Sequence, residues 1–389
     1  MFEWETYKSV GHRFRKRRLW HTFLHPWFIK LKYRNARPYK PSGKRLLLVK
    51  TDLIGDYLLF RNLLPYYRER YADYQLTLCA NLVNRTLADT LDGAYVDDVI
   101  WVNRNKFLKH KDYHFETLFD IYQRQFDLAI QPTFSPDIYA DLLVAATHAE
   151  QKIGVKSYLV NQTAERAEYT RSFYTQLVNT DPQPKFEFFR NVEIAQKILK
   201  LQIPIQHPKL SLNASPLLEK PYAVVAPGAS HEKKRWQSFA QVVDYLLEKK
   251  LMVVLVGAGN DKHAIRSVVS AVPSSNVKNM YNQTSVLQLA EIISGARLVV
   301  SNDSAPVHMG ALQGIPTVGI SSGTHAFRFN CYPPEFKRVQ FVFPPPLQQK
   351  LGTPEFEVYS AEYSTHHDIN SIQPERVFHA IHEVMTHGR

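Results

Sequence analysis

The sequence predicts an α/β protein of two domains, each built around a parallel sheet. Continuous apolar runs, as at residues 46–49 and 222–225, are typical of strands buried on both faces of a sheet. Amphipathic helices alternate with these strands, and the clearest has apolar residues at i, i+3, i+4, i+7 and i+8 from Phe239. Because the chain has 389 residues, more than one hydrophobic core usually spans, the alternation is best divided between two domains.

Each half of the chain contributes predicted strands. They are residues 46–49, 75–79, 99–102 and 128–130 in the first half and 222–225, 252–256, 298–300 and 317–320 in the second. Helices are predicted at 57–64 and 191–201, and a capping box of Ser285 and Gln288 begins another that ends at Gly295. Prolines accumulate between residues 182 and 216, which indicates a boundary. We therefore divide the chain into an extension at 1–44 and domains at 45–210 and 211–389.

The net charge of +12 is concentrated at the N-terminus. Residues 1–45 contain 13 Lys and Arg against Glu3 and Glu5, a net charge of +11, which leaves +1 for the other 344 residues. Aromatic residues such as Trp20 and Trp27 lie among these charges, a composition that suits an anionic membrane surface. The alternatives are packing on the protein's own body and a solvated tail. The nearly neutral body argues against a nucleic-acid partner.

Cysteine usage and hydropathy favour a cytoplasmic location. Cys79 and Cys331 lie far apart in the sequence, which argues against a disulfide framework and a cysteine metal site. No apolar run approaches the roughly 18 residues of a membrane span. The N-terminus also lacks the apolar core of a signal peptide.

Small and polar residues follow several predicted strands. In open α/β sheets, ligands bind beyond the carboxyl ends of the strands. Most loops of this kind belong to the second half, which is therefore the better candidate for a nucleotide site. These loops are residues 50–56, 226–236, 257–261, 301–305 and 321–324.

The loop that follows the strand at 298–300 begins a helix suited to an anion. Ser304 is a good N-cap residue, and Pro306 suits a first turn. Unpaired N–H groups and the helix dipole favour a negative ligand there, and the small Ala305 lets a diphosphate approach. Helix capping by itself also explains Ser304 and Pro306. It does not explain the second small-residue loop at 321–324.

Four motifs resemble those of the heptosyltransferase family, glycosyltransferase family nine. They are VKTDLIGD (49–56), PGASHEKKRW (227–236), SNDSAPVHMGALQGIPTVGISSGT (301–324) and IQPERVFHAI (372–381), in family order over nearly the whole chain. The resemblance implies a GT-B fold: two facing Rossmann-like domains, with the acceptor on the first and the nucleotide-sugar on the second. It also implies an inverting reaction without metal or other cofactor. The sequence contains no Asp-x-Asp motif, which agrees with this.

The resemblance assigns two central roles. Asp56 matches the family's catalytic base, and Lys234 matches its phosphate-contacting lysine. The alternatives from the residues themselves are a helix N-cap for Asp56 and a solvated charge run for Lys234. Acceptor-binding residues are expected at Asp52, Gly55 and Arg124, with Asp52 also a weaker candidate for the base.

The donor is expected to lie on the loops of the second domain. We expect Asp261 to accept hydrogen bonds from ribose hydroxyls, unless it is a first-turn helix acid. His308 is either a donor to the diphosphate or a core-facing histidine, and Asp303 would orient the transferred sugar or the surroundings of the phosphates. Ala305 stands where the family motif usually has glycine, so the backbone must tolerate a Cβ there. The expected donor-binding residues are Gly228, Ser230, Lys233, Gly257, Asp261, Asp303, Ser304, Ala305, His308, Ser322 and Gly323.

The sequence thus predicts a glycosyltransferase that moves a sugar from a nucleotide-diphosphate donor. Heptose is the sugar that the resemblance favours, and an ADP-linked donor is the one that it favours. The acceptor would be the lipopolysaccharide core or another glycan, at the cytoplasmic membrane face. The last helix could pack back on the N-terminal domain. A nucleotide-sugar epimerase of the same fold and a non-catalytic protein that binds a membrane surface are the alternatives.

Overall fold

The computed structural model describes residues 43–156, 163–212, 215–356 and 367–386. The predicted membrane contact of the basic extension therefore lies almost entirely outside the described residues. Within these ranges the chain forms two six-stranded sheets, and every strand pair is parallel. No helix in the described part of the chain has both the length and the apolar character needed to cross a bilayer.

The first sheet has the strand order β3-β2-β1-β4-β5-β6. Its central strand carries Leu47 and Val49, which are fully buried against helix residues such as Leu118 and Leu143. The strands are β1 Lys44–Lys50, β2 Tyr74–Asn81, β3 Asp98–Val102, β4 Leu128–Ile130, β5 Gln151–Val155 and β6 Gln176–Val178.

The second sheet has the strand order β12-β11-β10-β7-β8-β9. Counted from β7, this is the same order as in the first sheet, and both are the order of a Rossmann fold. Two copies of this topology therefore occur in series, although the sequence shows no internal repeat. The strands are β7 Tyr222–Ala226, β8 Met252–Leu255, β9 Val277–Asn279, β10 Leu298–Asn302, β11 Thr317–Ile320 and β12 Val339–Val342.

Helices connect the strands in both sheets. In the first half they are α1 Ile54–Leu58, α2 Leu64–Arg70, α3 Arg85–Leu91, α4 Arg104–Lys109, α5 Lys111–Arg124, α6 Ile138–Ala146, α7 Ala164–Arg171 and α8 Glu187–Leu199. In the second half they are α9 Phe239–Glu248, α10 Lys262–Ala271, α11 Val286–Ser294, α12 Ala305–Leu312, α13 Ala326–Phe329, α14 Pro345–Gln348 and α15 Pro374–Thr386.

The predicted strands are all present, and the predicted α/β class is confirmed. Sequence reasoning missed β5, β6, β9 and β12, which lie toward the edges of the sheets and lack long apolar runs. The single helix predicted at 57–64 is wrong. The chain instead forms α1, a 3₁₀ turn at Arg61–Leu63 and α2. Pro65 lacks the N–H that a continuous helix would use, so it stands in the first turn of a new helix.

The described chain divides into two compact units. The first runs to Thr51 and adds Tyr71–Leu82 and Val96–Asn179, so it holds the first sheet. The second unit takes Asp52–Arg70, Val83–Tyr95 and the chain from Thr180, and it holds the second sheet. The segments that contain α1, α2 and α3 therefore belong to the second unit. The division predicted at residue 211 stays a prediction.

The last helix belongs to the core of the second sheet. Val377, Ala380, Ile381 and Val384 of α15 are buried in one cluster with residues of β7, β8, β10 and β11. These contacts place the helix in the core of the second sheet, and its packing back on the N-terminal domain stays a prediction.

Candidate functional site

The predicted donor residues all follow strands of the second sheet at one edge. In a Rossmann-ordered sheet, the strand order reverses between the first and fourth strands, and the loops there form the ligand site. In the second sheet this switch point lies between β7 and β10, which pair directly. The loops after these strands carry Lys234 and Asp303, and the loops after the flanking β8 and β11 carry Asp261 and Ser322.

One buried asparagine fixes the basic loop at the switch point. Asn302 ends β10 and is fully buried. Its Nδ2 donates to the carbonyl of Pro227 at 2.8 Å, and its Oδ1 accepts from the backbone N–H of Trp236 at 3.2 Å. The loop at 227–236 is therefore held at both ends by one side chain, which positions the lysines between them.

Lys234 and Asp303 form an ion pair across the switch point. The distance from Lys234 Nζ to Asp303 Oδ2 is 2.8 Å, and Asp303 Oδ1 accepts from Asn330 Nδ2 at 2.8 Å. Burial raises the pKa of Asp303, but the Lys234 ammonium and these hydrogen bonds more than offset it and hold the pKa below its ordinary value. The result is a fixed cation at the switch point of the second sheet.

The same network reaches the second small-residue loop. Ser321 Oγ donates to Asn330 Oδ1 at 2.8 Å and accepts from the Gly323 N–H at 3.0 Å. Ser322 is buried, with its hydroxyl 3.3 Å from that of Thr324. Side chains thus link the loops after β10 and β11, which the sequence analysis predicted to belong to one site.

Ser304 stands at the N-cap position of α12, as the capping explanation expects, but its hydroxyl does not cap the helix. Its backbone is extended, as in an N-cap residue. The hydroxyl lies 3.0 Å from Ser301 Oγ and 3.1 Å from the Asn302 carbonyl. The N–H groups predicted to be unpaired at the start of α12 also need correction, because Pro306 has no N–H and the Val307 N–H donates to the Ser304 carbonyl.

Asp261, in the loop after β8, packs against the loop after β7. Its Oδ2 accepts from the Ala258 N–H at 3.0 Å. A Cβ on Gly228 would lie 2.1–2.5 Å from the atoms of this carboxyl group, and one on Gly257 would lie 3.1 Å from its Cβ. Glycine at 228 is therefore required by the close approach of a carboxylate, a reason that sequence reasoning did not find.

The helix that carries Asp56 packs against the start of α12. Asp56 is the third residue of α1, and Leu53 is the N-cap residue, so the alternative of Asp56 as a helix cap is wrong. A Cβ on Gly55 would lie 2.8 Å from His308 Cδ2, which makes glycine necessary for the approach of the two helices. The candidate base and the candidate diphosphate helix thus belong to one packed cluster.

Two histidines of this cluster are neutral near pH 7. Burial lowers the pKa of His308 to about 4, and His308 Nδ1 lies 2.6 Å from the hydroxyl of Tyr332. Burial, with the nearby charge of Arg328, lowers the pKa of His325 to about 4. Sequence reasoning missed His325, Asn330 and Tyr332. His325 could have been found because it directly follows the SSGT loop, whereas the other two carry no sequence signal.

The remaining predicted donor residues occupy the rim of the site. Ser230 and Lys233 are exposed in the basic loop, and the Lys233 N–H donates to His231 Nδ1 at 3.2 Å. Ala305 is the first residue of α12 and is half-buried, so its Cβ is accommodated there.

The first sheet has its own switch point between β1 and β4. Lys50, at the end of β1, is 1% exposed, and its Nζ lies 3.4 Å from Thr133 Oγ1 in the loop after β4. Gln131 beside it is fully buried. A buried lysine at this position was not singled out by sequence reasoning, although it stands in the VKTDLIGD motif.

The structure does not support Arg124 as an acceptor-binding residue. Its guanidinium pairs with Asp98 and with Asp120, and Asp98 is the first residue of β3. Arg124 therefore lies at the amino edge of the first sheet, away from the carboxyl ends where ligands bind. Asp52 is half-buried after β1, where its carbonyl accepts from Asn84 Nδ2 at 3.2 Å.

Solved structures show that the fold is the GT-B fold of glycosyltransferases. A glycosyl transferase family 9 protein from Veillonella parvula aligns with a TM-score of 0.67 at 17% identity, over 88% of this chain and 97% of that one. The Escherichia coli heptosyltransferase WaaC with ADP aligns with a TM-score of 0.65 at 17% identity, over 87% and 99%. At this identity the likeness establishes the fold.

The family follows from the sequence comparison. The model of glycosyltransferase family 9 (heptosyltransferase) matches residues 120–344, more than half of the chain, and the chain belongs to that family. It is 25% identical to lipopolysaccharide heptosyltransferase 2 of Salmonella typhimurium over 210 residues, 50% of this chain and 56% of that one. It is 28% identical to lipooligosaccharide heptosyltransferase 2 of Campylobacter jejuni over 131 residues, 32% and 40%. The chain thus spans about half the length of these curated relatives, or less.

Proposed function

We propose that this chain transfers heptose from ADP-heptose to the lipopolysaccharide core or another glycan, with inversion and without a metal ion. The curated relatives are named for heptose transfer to lipopolysaccharide or lipooligosaccharide, and a solved structure of the same fold contains ADP. The observation that carries the proposal is the Lys234–Asp303 pair at the switch point of the second sheet. It supplies a positioned cation where a nucleotide diphosphate binds in this fold class.

The donor half of the reaction uses charge that is already in place. When the bond between the anomeric carbon and the phosphate oxygen breaks, negative charge develops on the leaving diphosphate. The Lys234 ammonium would take up part of this charge, and the positive end of α12 would favour it further. Asp261 would accept hydrogen bonds from the ribose hydroxyls with the carboxylate oxygen that Ala258 does not use.

The acceptor half of the reaction needs a base. The Asp56 carboxylate would take the proton of the acceptor hydroxyl as its oxygen attacks the anomeric carbon. Because Gly55 lies on His308, α1 presents Asp56 beside the helix that would hold the diphosphate. Asp52 would line the acceptor side.

The membrane is the proposed location of the acceptor. The charge and aromatic content of residues 1–45 suit peripheral contact with an anionic membrane face. Deletion of residues 1–40 should abolish sedimentation with anionic vesicles and leave transfer to a water-soluble acceptor intact. Unchanged sedimentation would refute the membrane role of this segment.

Asp56→Asn tests the catalytic proposal. Transfer should fall by about 10²–10⁴-fold, the range for loss of a general base, while ADP binding measured by calorimetry stays unchanged. Asp89→Asn is the control, because Asp89 is 48% exposed on α3 and pairs with Arg85. Full turnover in Asp56→Asn would contradict the assignment.

The reaction class needs two further arms. Product analysis without acceptor should show unchanged donor, whereas an isomerised nucleotide-sugar would favour the epimerase alternative. Transfer should also survive a chelator, and a strict requirement for a divalent ion would refute the metal-free mechanism.

A further inference from the structure

A groove of about 720 Å³ lies at the amino edge of the second sheet, opposite the donor loops. Its walls are the segment at 207–212, the end of α12 with the turn after it, and residues 335–339. The Leu210 N–H donates to the Leu312 carbonyl at 2.9 Å, and the N–H of Thr317, the first residue of β11, donates to the Arg338 carbonyl at 2.8 Å. These bonds fix the walls, so the groove is a formed feature of the fold. Its volume lies within the roughly 300–1,000 Å³ of small-molecule sites.

Three residues that line this groove each carry a buried polar atom without a hydrogen-bond partner in the described part of the chain. Among the described residues, His207 Nδ1, Gln313 Oε1 and Arg338 Nε are buried and have no partner, and all three residues line it. A buried polar atom left unpaired costs about 1–3 kcal/mol, so three in one place are unfavourable unless water or a ligand satisfies them. Gln313 Oε1 requires a donor, and Arg338 Nε requires an acceptor.

The charge and the apolar surface of the groove indicate which class of ligand it could bind. Three basic residues line the groove: Lys209 and Lys337 are exposed, and Arg338 is half-buried. The lining contains one carboxylate, that of Glu335, so basic groups outnumber acidic ones. Leu210 and Phe336 supply apolar surface beside these charges. Such a lining suits an anion attached to an apolar body.

We propose that this groove binds a phosphate monoester carried on an aliphatic or otherwise apolar body, at a site separate from the proposed donor site. The monoanion of a phosphate monoester has both an O–H and oxygen acceptors, so it can donate to Gln313 and accept from Arg338. The apolar body then lies along Leu210 and Phe336.

Calorimetry with dodecyl phosphate, kept below its micelle concentration, tests the proposal. One molecule should bind per chain, and Arg338→Gln should weaken binding about tenfold or more, since hydrogen bonds to charged groups contribute about 1.5–3 kcal/mol. Lys278→Gln is the charge-matched control. Lys278 is exposed on β9, at the other edge of the sheet, and its loss should leave the affinity unchanged.

Further probes separate the parts and sources of the ligand. Inorganic phosphate should bind much more weakly than dodecyl phosphate, and dodecyl maltoside, with the same chain and no charge, should not compete. Vesicles of phosphatidic acid in neutral lipid distinguish a membrane head group from a diffusible ester. Binding to either that Arg338→Gln weakens supports the site. Equal affinity in Arg338→Gln and native protein, or equal binding of the neutral detergent, overturns it. If Arg338→Gln does not fold, Lys337→Gln makes the same test with an exposed side chain.

Discussion

Removal of the Lys234 ammonium should make the stability of the protein depend on pH in a defined way. In Lys234→Met, Asp303 keeps its bond from Asn330 but loses its counter-ion, and its side chain is only 8% exposed. Breaking a buried pair costs about 3–5 kcal/mol. We expect the lower end, about 3 kcal/mol near neutral pH, because the Lys234 side chain is 26% exposed and Asn330 stays in place.

The sign of the pH dependence follows from the pKa of Asp303. In the native protein this pKa is depressed, so the stabilisation by the pair is present at neutral pH and is lost as pH falls below the ordinary range of about 4. Without the ammonium, burial raises the pKa, and the variant binds a proton on mild acidification. The difference in unfolding free energy should therefore be largest at about pH 7 and should shrink by about pH 4.5.

Urea unfolding of four proteins provides the measurement. A double-mutant cycle compares native protein with Lys234→Met, Asp303→Asn and the double variant. The double variant should lose less unfolding free energy than the two single variants lose in sum. Lys233→Met is the control, because this exposed neighbour should contribute less than about 0.5 kcal/mol. An equal loss at both pH values, or additive single losses, would refute the coupling between Lys234 and Asp303.

Three other perturbations probe the same cluster. Gly55→Ala should lose about 1–3 kcal/mol of stability because its Cβ meets His308, whereas Gly93→Ala, with no atom within 4 Å of its Cβ, should be neutral in urea unfolding. As the pH is lowered from about 6.5 to about 4, His308 is protonated in the unfolded chain and stays neutral in the folded chain. The free energy of unfolding of the native protein therefore decreases over this range. His308→Gln should remove about 3 kcal/mol of that fall, and an unchanged pH slope would contradict the buried neutral imidazole. Asn302→Ala leaves two buried backbone groups unpaired and should cost about 2–4 kcal/mol in the same assay, with wild-type stability as the refuting result.

The sequence predicted the central strands and the edge of the sheet where the site lies, because burial on both faces leaves continuous apolar runs. Edge strands such as Gln176–Val178 are half solvated and leave no such run. Within the site, residue type predicted the position of Lys234 and Asp303 but not their pairing, which joins residues 69 apart in the chain. The orientation of the Ser304 hydroxyl away from α12 was equally invisible, since serine is compatible with either arrangement.

The attachment of Trp236 has a practical consequence for handling the protein. Its indole Nε1 donates to the Ile372 carbonyl at 2.9 Å, and the next residue, Gln237, donates its N–H to Asn370 Oδ1 at 2.9 Å. These two hydrogen bonds attach the loop that carries Lys234 to the segment that leads into α15. Because α15 also fills the core of the second sheet, shortening the protein from its carboxyl terminus past residue 373 should destabilise that core together with the loop.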